Sequence, residues 1–162
     1  MAKTYELIAV NTISSATANF TFSSIPSTYT DLVLICNSQI AGYQNIFLRP
    51  NSDSGSNYSR TYFYATGTAQ GRGTVTTNAN GLYVGSGEVS PNFQVSITHI
   101  MSYANTNVNK FSISRGNIPS DSVDFTSSMW NSTAAISSLY VYPSGNTFAT
   151  GSTFSLYGIK AA

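Results

Sequence analysis

His99 is the only histidine of the chain, so any catalysis that needs an imidazole would depend on this residue. It alternates with Val95, Ile97 and Met101, and this period of two places all four side chains on one face of a strand. A nucleophile–histidine–acid triad would also need one particular serine and one aspartate, and serine is too abundant here to single one out. We therefore interpret His99 as a structural residue.

The acidic residues form no clearer catalytic or metal-binding pattern. Asp121 and Asp124 are the only closely spaced acids, and we interpret them as part of a solvated, serine-rich loop instead of a glycosidase pair. Asn51, Asp53 and Ser54 could offer oxygens to calcium, but a dedicated site needs more carboxylates, and an Asx turn is the better interpretation. Cys/His pairs with zinc spacing are missing too, so we expect no enzyme, no metal and no cofactor.

Charge and cysteine content restrict the partners and the compartment. Seven basic and six acidic residues give a net charge of +1 and stand singly along 162 residues, so no basic cluster favours nucleic acid. Cys36 lies in the apolar run 32–36, which predicts a small buried hydrophobe and not a reactive thiol. No stretch has the length of a signal peptide or a membrane span, and we expect synthesis in the cytoplasm without membrane contact.

Aromatic side chains are the remaining candidates for ligand contact. Flat rings could stack on the faces of sugars while neighbouring Asn and Ser side chains bind the hydroxyl groups. The candidate surface or glycan contacts are Tyr58, Tyr62, Tyr64 and Trp130. Tyr62 and Tyr64 share a strand face, so they could equally fill the edge of a core or a subunit interface, where tyrosine is enriched.

The composition predicts an all-β protein that folds as a single domain over residues 1–162. Charged residues make up only 8%, whereas hydrophobic residues reach 41% and aromatics 13%. Short polar and β-branched residues interleaved with aromatics favour strands and turns over helices. We predict about nine to eleven short strands in a β-sandwich or a closed barrel.

Apolar residues alternate with a period of two along most of the chain, and this pattern predicts where the strands lie. The clearest predicted strands are 5–10, which we expect to be covered on both faces, 31–38, which is typical of a central strand, 59–65, 93–101, 135–142 and 153–159. The connections predict hairpins over 43–65, 93–115 and 135–159, with 117–128 as a polar connection. Residues 66–81 are rich in Gly, Thr and Asn, and we predict a long, flexible polar loop there.

Four segments resemble a family of small virion-associated β-proteins of tailed bacteriophages. They are TYELIA at 4–9, IPSTYTDLVL at 25–34, GSNYSRTYFYATG at 55–67 and MWNSTAAISSLYVYPSGNTFATGSTFSLYGI at 129–159. The resemblance covers most of the chain, with 68–128 diverging most, and these segments mark strands and turns instead of a site. It implies a structural role on the virion and gives no catalytic or binding residue to transfer.

We therefore expect a bacteriophage virion structural protein. The leading hypothesis is a capsid decoration (cement) protein, which would stabilise the head shell by bridging neighbouring copies of the major capsid protein. The alternative is a tail or fibre module that assembles with tail proteins and binds the host surface, where it could bind glycans. An independent lectin is a third and weaker hypothesis.

The C-terminal strand adds a prediction about assembly. The ending FSLYGIK resembles the last strand of trimeric jelly rolls such as the tumour-necrosis-factor-like fold, which implies a jelly-roll-like sandwich and a homotrimer. Both faces of this strand are apolar, so one could cover the core while the other meets a neighbouring subunit. The alternative is a central strand inside the protein's own sandwich. The candidate interface residues are Phe154, Leu156, Tyr157 and Ile159, and Gly158 would permit close approach at a threefold axis.

Overall fold

The computed structural model of the chain describes residues 4–76, 80–87, 92–118 and 122–160. Within these ranges the chain forms twelve β-strands and no helix. The strands are β1 (Tyr5–Thr12), β2 (Phe20–Phe22), β3 (Asp31–Ser38), β4 (Gln44–Pro50), β5 (Tyr58–Thr66), β6 (Gln70–Val75), β7 (Leu82–Gly87), β8 (Gln94–Met101), β9 (Lys110–Ile118), β10 (Ser122–Trp130), β11 (Leu139–Pro143) and β12 (Thr153–Ile159).

Eight of these strands are arranged like a jelly roll. β1 pairs with β12, β2 with β11, β3 with β8 and β4 with β7, and every pair is antiparallel. The chain therefore runs back along itself as one long double ribbon, and this ribbon is folded into two sheets that pack face to face. This arrangement confirms the predicted all-β, jelly-roll-like sandwich.

The other four strands are two inserted pairs that widen one sheet. β5 and β6 follow β4, and β9 and β10 follow β8. They join the free edge of β8, which gives an eight-stranded sheet in the order β1-β12-β3-β8-β9-β10-β5-β6 opposite a four-stranded sheet in the order β2-β11-β4-β7. We call β9, β10, β5 and β6 the extension.

The core lies between the two sheets where the jelly roll is complete. The larger sheet contributes fully buried aliphatic and aromatic side chains from β3, β8 and β12, and the smaller sheet contributes others from β4, β7 and β11. Phe154 packs against Phe20 and Phe148 with ring centroids 4.7 and 4.8 Å away. Cys36 is completely buried here, and burial raises the pKa of its thiol to about 12. This confirms its interpretation as a buried hydrophobe.

The structure confirms two further predictions about individual strands and corrects a third. β3 lies between β12 and β8 as a central strand, and β8 and β9 form the predicted hairpin. The expectation that the first strand is covered on both faces is wrong, because β1 is an edge strand whose Tyr5, Leu7 and Val10 side chains are exposed.

Three strands were not predicted from the sequence. The predicted loop over 66–81 is wrong for Gln70–Val75, which forms β6 and pairs with β5. The predicted polar connection over 117–128 is wrong for Ser122–Trp130, which forms β10. β7 was the third. Residues 77–79 and 119–121, which also fall within these two predictions, lie outside the described residues.

Two predicted hairpins are wrong for a topological reason. β4 lies in the four-stranded sheet and β5 in the eight-stranded sheet, and the same division separates β11 from β12. The connection from β11 to β12 is a jelly-roll crossing between the two sheets, and the connection from β4 to β5 leads into the inserted β5–β6 pair, so in neither case do the neighbours in sequence pair. Local alternation identifies a strand but not the sheet that it joins.

The extension has polar side chains on its inner face and many of its apolar side chains on its outer face, an arrangement that we call inverted polarity. On β9 and β10 the inward side chains are small and polar, and Ser112, Ser114, Thr126 and Ser128 are almost completely buried. Five large apolar side chains of the extension face outward and are exposed, whereas those at the strand ends, Tyr58, Ile118 and Trp130, are buried; the exposed ones are Phe63, Phe111, Val123, Phe125 and Met129. A sheet that covers a core normally shows the opposite order. The period of two is therefore present in these strands, but it does not point to the core.

Asp53 joins the 51–57 loop to the sandwich. Its carboxylate accepts hydrogen bonds from Trp130 Nε1 (2.7 Å), Asn57 Nδ2 (2.9 Å) and the backbone N–H of Gly55 (2.8 Å). The loop is thus the predicted Asx turn. Burial alone would raise the pKa of Asp53, but these hydrogen bonds together outweigh it and hold the pKa below its usual value.

The Asp53 carboxylate should make stability depend on acidic pH. Its folded-state pKa lies below the unfolded value of about 3.9, so its contribution is present above that pH and is lost as pH falls through the folded pKa. Asp53→Asn should lower the free energy of unfolding by about 1–2 kcal/mol at pH 7 and by less at pH 3. Denaturant unfolding at both pH values measures the difference, with the neighbouring Ser54→Ala as the control. Equal stability of Asp53→Asn and wild type at pH 7 would contradict this role.

Candidate functional site

A cleft of about 330 Å³ opens between the extension and the edge of the four-stranded sheet. β7 is the edge strand of the smaller sheet and lies over β9 and β10. β5 and β6 continue past it, so part of their inner face is not covered. The lining residues are Tyr43, Asn45, Arg60, Tyr62, Tyr64, Tyr83, Ser86, Ile118, Ser122, Asp124 and Thr126.

Two tyrosine rings form one wall of this cleft. Tyr62 and Tyr64 lie opposite Gly73 and Gly71 in the β5–β6 register. A Cβ added at Gly71 would come within 2.5 Å of the Tyr64 ring, and one added at Gly73 within 2.6 Å of Tyr62 Cζ. The absence of side chains at both glycines lets the rings lie directly on the β6 backbone. This explains the Gly-Arg-Gly sequence of β6, which gave no strand signal.

Arg60 supplies an unpaired cation to the cleft. Its guanidinium lies over the rings of Phe47, Tyr62 and Tyr83, with centroid distances of 5.2, 5.7 and 5.3 Å. Its Nε and Nη1 atoms are buried and have no hydrogen-bond partner among the described residues. Burial lowers the pKa of Arg60, although an arginine stays protonated at neutral pH. The side chain is therefore held by stacking and keeps hydrogen-bond donors unused.

Asp124 supplies an acceptor in the same cleft. Tyr83 Oη donates a hydrogen bond to its Oδ2 atom, and polar contacts continue from Tyr83 Oη to Ser86 Oγ (2.8 Å) and from there to the Asn45 side chain (3.0 Å). Burial raises the pKa of Asp124, and the hydrogen bond from Tyr83 opposes this shift only in part. The prediction that Asp124 belongs to a solvated loop is wrong. Asp121 lies outside the described residues.

The structure divides the four aromatic residues that the sequence suggested for glycan contact. Tyr62 and Tyr64 line the cleft. Tyr58 and Trp130 are buried and bind Asp53, Tyr58 through the backbone carbonyl and Trp130 through the carboxylate, so their assignment as surface contacts is wrong. Sequence reasoning missed Tyr43 and Tyr83, which come from a loop and from β7, and it missed Arg60, which lies on β5 on the same face as Tyr62 and Tyr64 and could have been found from that spacing.

His99 lies on the outer face of the eight-stranded sheet and not in the core. Its Nε2 atom is 3.0 Å from Asp31 Oδ2, and its side chain is 37% exposed. It borders a shallow hollow together with apolar side chains that include Val33, Ile97 and Ile113. Asp31 also accepts a hydrogen bond from the backbone N–H of Ser102. His99 is thus tied to Asp31, which is itself fixed by the backbone.

The outer face of the extension carries a continuous apolar surface, which we call the outer patch. Neighbouring strands bring its members side by side: Phe125 lies opposite Phe63, and Met129 lies opposite Phe111. Val95 of β8 is exposed on the same face, with Asn117 of β9 between it and Val123 of β10. The exposed members of the outer patch are Phe63, Val95, Phe111, Val123, Phe125 and Met129. Arg115 and Arg72 flank the Phe125–Phe63 pair and are also exposed.

The four candidate interface residues of β12 point in two directions. Phe154 and Leu156 are completely buried in the core, so they are not available to a second subunit. Tyr157 and Ile159 are half-buried on the outer face, opposite Leu7 and Tyr5 of β1. Gly158 does not leave room for a neighbour either, since the ring of Tyr29 from the same chain lies directly on it.

In the described ranges, no three His, Cys, Asp or Glu side chains come together in a way that could hold a metal ion. The part of the chain that the structure covers also contains no helix with the length and hydropathy of a membrane span.

The buried carboxylate of Asp124 should reduce stability at neutral pH. Its folded-state pKa is raised, so stability falls as pH rises from the unfolded pKa through the folded one. Asp124→Asn removes a buried charge and should therefore increase the free energy of unfolding by about 0.5–2 kcal/mol at pH 7, the range of single stabilising substitutions, and by less at pH 3. Thermal unfolding at the two pH values measures it. A variant that is less stable than wild type at pH 7 would show that the carboxylate serves the fold.

Comparison with known proteins identifies no relative: no family model, no curated protein and no solved structure matches the chain. The resemblance to virion proteins of tailed bacteriophages therefore stays a prediction from the sequence.

Proposed function

We propose that the chain is a structural protein of a bacteriophage virion, and that it acts as a capsid decoration protein. The observation that carries this proposal is the outer patch. Six large apolar side chains are exposed on one face of a sheet whose buried side is polar in the same strands. A contiguous exposed apolar surface of this kind marks a protein–protein interface in most soluble proteins.

The chemistry of the outer patch favours contact with another protein in an assembly. Phe125 and Val123 are 44% and 60% exposed. Burying their side chains against a partner would favour association by about 25 cal/mol per Å² of apolar area. The net charge of +1 adds little self-repulsion. The flanking Arg72 and Arg115 fit a partner surface with carboxylates or carbonyl groups at its rim. The major capsid protein is the partner that a decoration protein would contact in this way.

A second contact surface supports the homotrimer within this proposal. Tyr157 and Ile159 face outward beside the exposed Tyr5 and Leu7 of β1. This apolar strip lies at the other edge of the eight-stranded sheet from the outer patch. This strip can therefore join copies of the chain to one another while the outer patch contacts the capsid shell.

The alternative is a tail or fibre module that binds the host surface. One observation favours it, the tyrosine-lined cleft, because a decoration protein that only bridges capsid subunits has no need for a ligand cleft. The two hypotheses differ in the number of copies that a particle should contain.

Tyr157→Ala should separate the proposed trimer into folded monomers. Tyr157 is half-buried and outward-facing, so its truncation removes a tyrosine anchor of the proposed interface but little of the core. Light scattering of the purified protein measures the mass, and circular dichroism shows whether the β-structure is retained. The control is Val108→Ser, which changes an exposed apolar residue in the β8–β9 turn. A wild-type protein that stays monomeric at high concentration would overturn the trimer.

Purified particles should contain hundreds of copies of a decoration protein, and about a dozen or fewer of a tail component. Quantitative mass spectrometry against the major capsid protein measures this ratio. In particles, Phe63→Ser combined with Phe125→Ser should lower the copy number about tenfold, because both rings are central to the outer patch. Val108→Ser should leave it unchanged. A chain that is missing from the particles would contradict the proposal, and a copy number near a dozen would favour the tail module.

A further inference from the structure

The cleft beside β7 combines three features that a ligand would need to satisfy together. It has an aromatic wall, an unpaired guanidinium and a carboxylate, all within a volume of about 330 Å³. That volume lies at the lower end of small-molecule pockets, which span about 300–1,000 Å³. The ligand that fits is therefore small, or it is the end of a larger molecule.

The aromatic wall is rigid and presents the free faces of its rings. Gly71 and Gly73 hold the rings of Tyr64 and Tyr62 against the β6 backbone, so one face of each ring is covered by the chain. Tyr64 is 42% exposed at the cleft, the guanidinium of Arg60 lies over the half-buried Tyr62 ring, and Tyr43, which is 59% exposed, also lines the cleft. The face of an aromatic ring is negative and attracts weakly positive C–H groups. A pyranose ring presents such groups on its flat sides.

The polar side chains of the cleft need a ligand that can both accept and donate hydrogen bonds. Among the described residues, Arg60 Nε and Nη1 are buried donors without a partner, and Thr126 Oγ1 is a buried hydroxyl without one. Leaving such groups unpaired is costly, and a ligand that supplies partners would recover that cost. The Asp124 carboxylate can only accept while it is ionised. Hydroxyl groups satisfy all three side chains, since each hydroxyl can donate and accept.

The charges of the cleft argue for a neutral ligand. Arg60 contributes one positive charge and Asp124 one negative charge, and no ion pair joins the two in the described structure. A phosphate or a carboxylate bound to Arg60 would meet the charge of Asp124, and a cation bound to Asp124 would meet Arg60. An uncharged polyhydroxyl ring avoids both conflicts.

We propose that this cleft is a carbohydrate-binding site for one neutral hexopyranose unit, with Tyr62 and Tyr64 as the stacking platform and with Arg60, Asp124 and Thr126 binding hydroxyl groups. The site is independent of the position of the protein on a particle. It differs from the surface contacts expected from the sequence, because Tyr58 and Trp130 are in the core and Arg60 and Asp124 replace them.

The test uses the full-length protein and a panel of methyl glycosides of glucose, galactose, mannose, fucose, N-acetylglucosamine and N-acetylgalactosamine. Saturation-transfer NMR identifies the glycosides that bind, and isothermal titration gives the affinity of the best one. We expect at least one neutral glycoside to bind and inorganic phosphate and glucuronate to bind more weakly. Absence of binding by the whole panel, or a preference for the anions, would overturn the proposal.

Three variants and one matched control locate the binding. Tyr64→Ala and Asp124→Asn should each weaken binding of the best glycoside about tenfold. Gly71→Ala should also weaken it, because the new Cβ displaces the Tyr64 ring while the tyrosine itself remains. The control is Tyr5→Ala, which removes an exposed tyrosine at the far edge of the sheet and should leave the affinity unchanged. Retention of full affinity in folded Gly71→Ala and Tyr64→Ala would place the sugar elsewhere and refute the site.

Discussion

The inverted polarity of the extension is the constraint on which the other features depend. The four-stranded sheet is too narrow to cover eight strands, so β9, β10, β5 and β6 cannot bury two apolar faces. Their inner side is instead built from serine and threonine, which pack against β7 or line the cleft. Large apolar side chains of β9, β10 and β5 are left on the outside, namely Phe111, Val123, Phe125, Met129 and Phe63. The outer patch and the cleft are therefore two results of one arrangement.

The two surfaces lie on opposite sides of the same strands. Phe63 points outward from β5, while Tyr62 and Tyr64, its neighbours in sequence, point into the cleft. A partner that covers the outer patch would leave the cleft accessible, since a strand separates the two. Attachment to a particle and binding of a small ligand are consequently compatible in one molecule.

Sequence reasoning predicted the fold class because alternation and turn residues are local signals. It located β3, β8 and the buried Cys36 for the same reason. It failed where the deciding contact is distant in sequence: β6 is a strand because Tyr62 and Tyr64 cover its glycines, and no pattern within Gln70–Val75 shows this. Only part of the cleft could be predicted from the sequence. Arg60, Tyr62 and Tyr64 share one face of β5, whereas Tyr83 and Asp124 join them through pairing and sheet packing that alternation does not encode.

The pairing of β1 with β12 has a consequence for how the molecule forms. Tyr5 lies opposite Ile159 in the finished sheet, so the first strand gains its partner only after almost all of the chain has left the ribosome. β2 and β11 repeat this separation in the other sheet. Sheets closed by such distant pairs fold slowly, because a long loop must be closed before the contact is gained. β8, β9 and β10 follow one another in sequence and pair as neighbours, so this meander can form first and give the late strands a template.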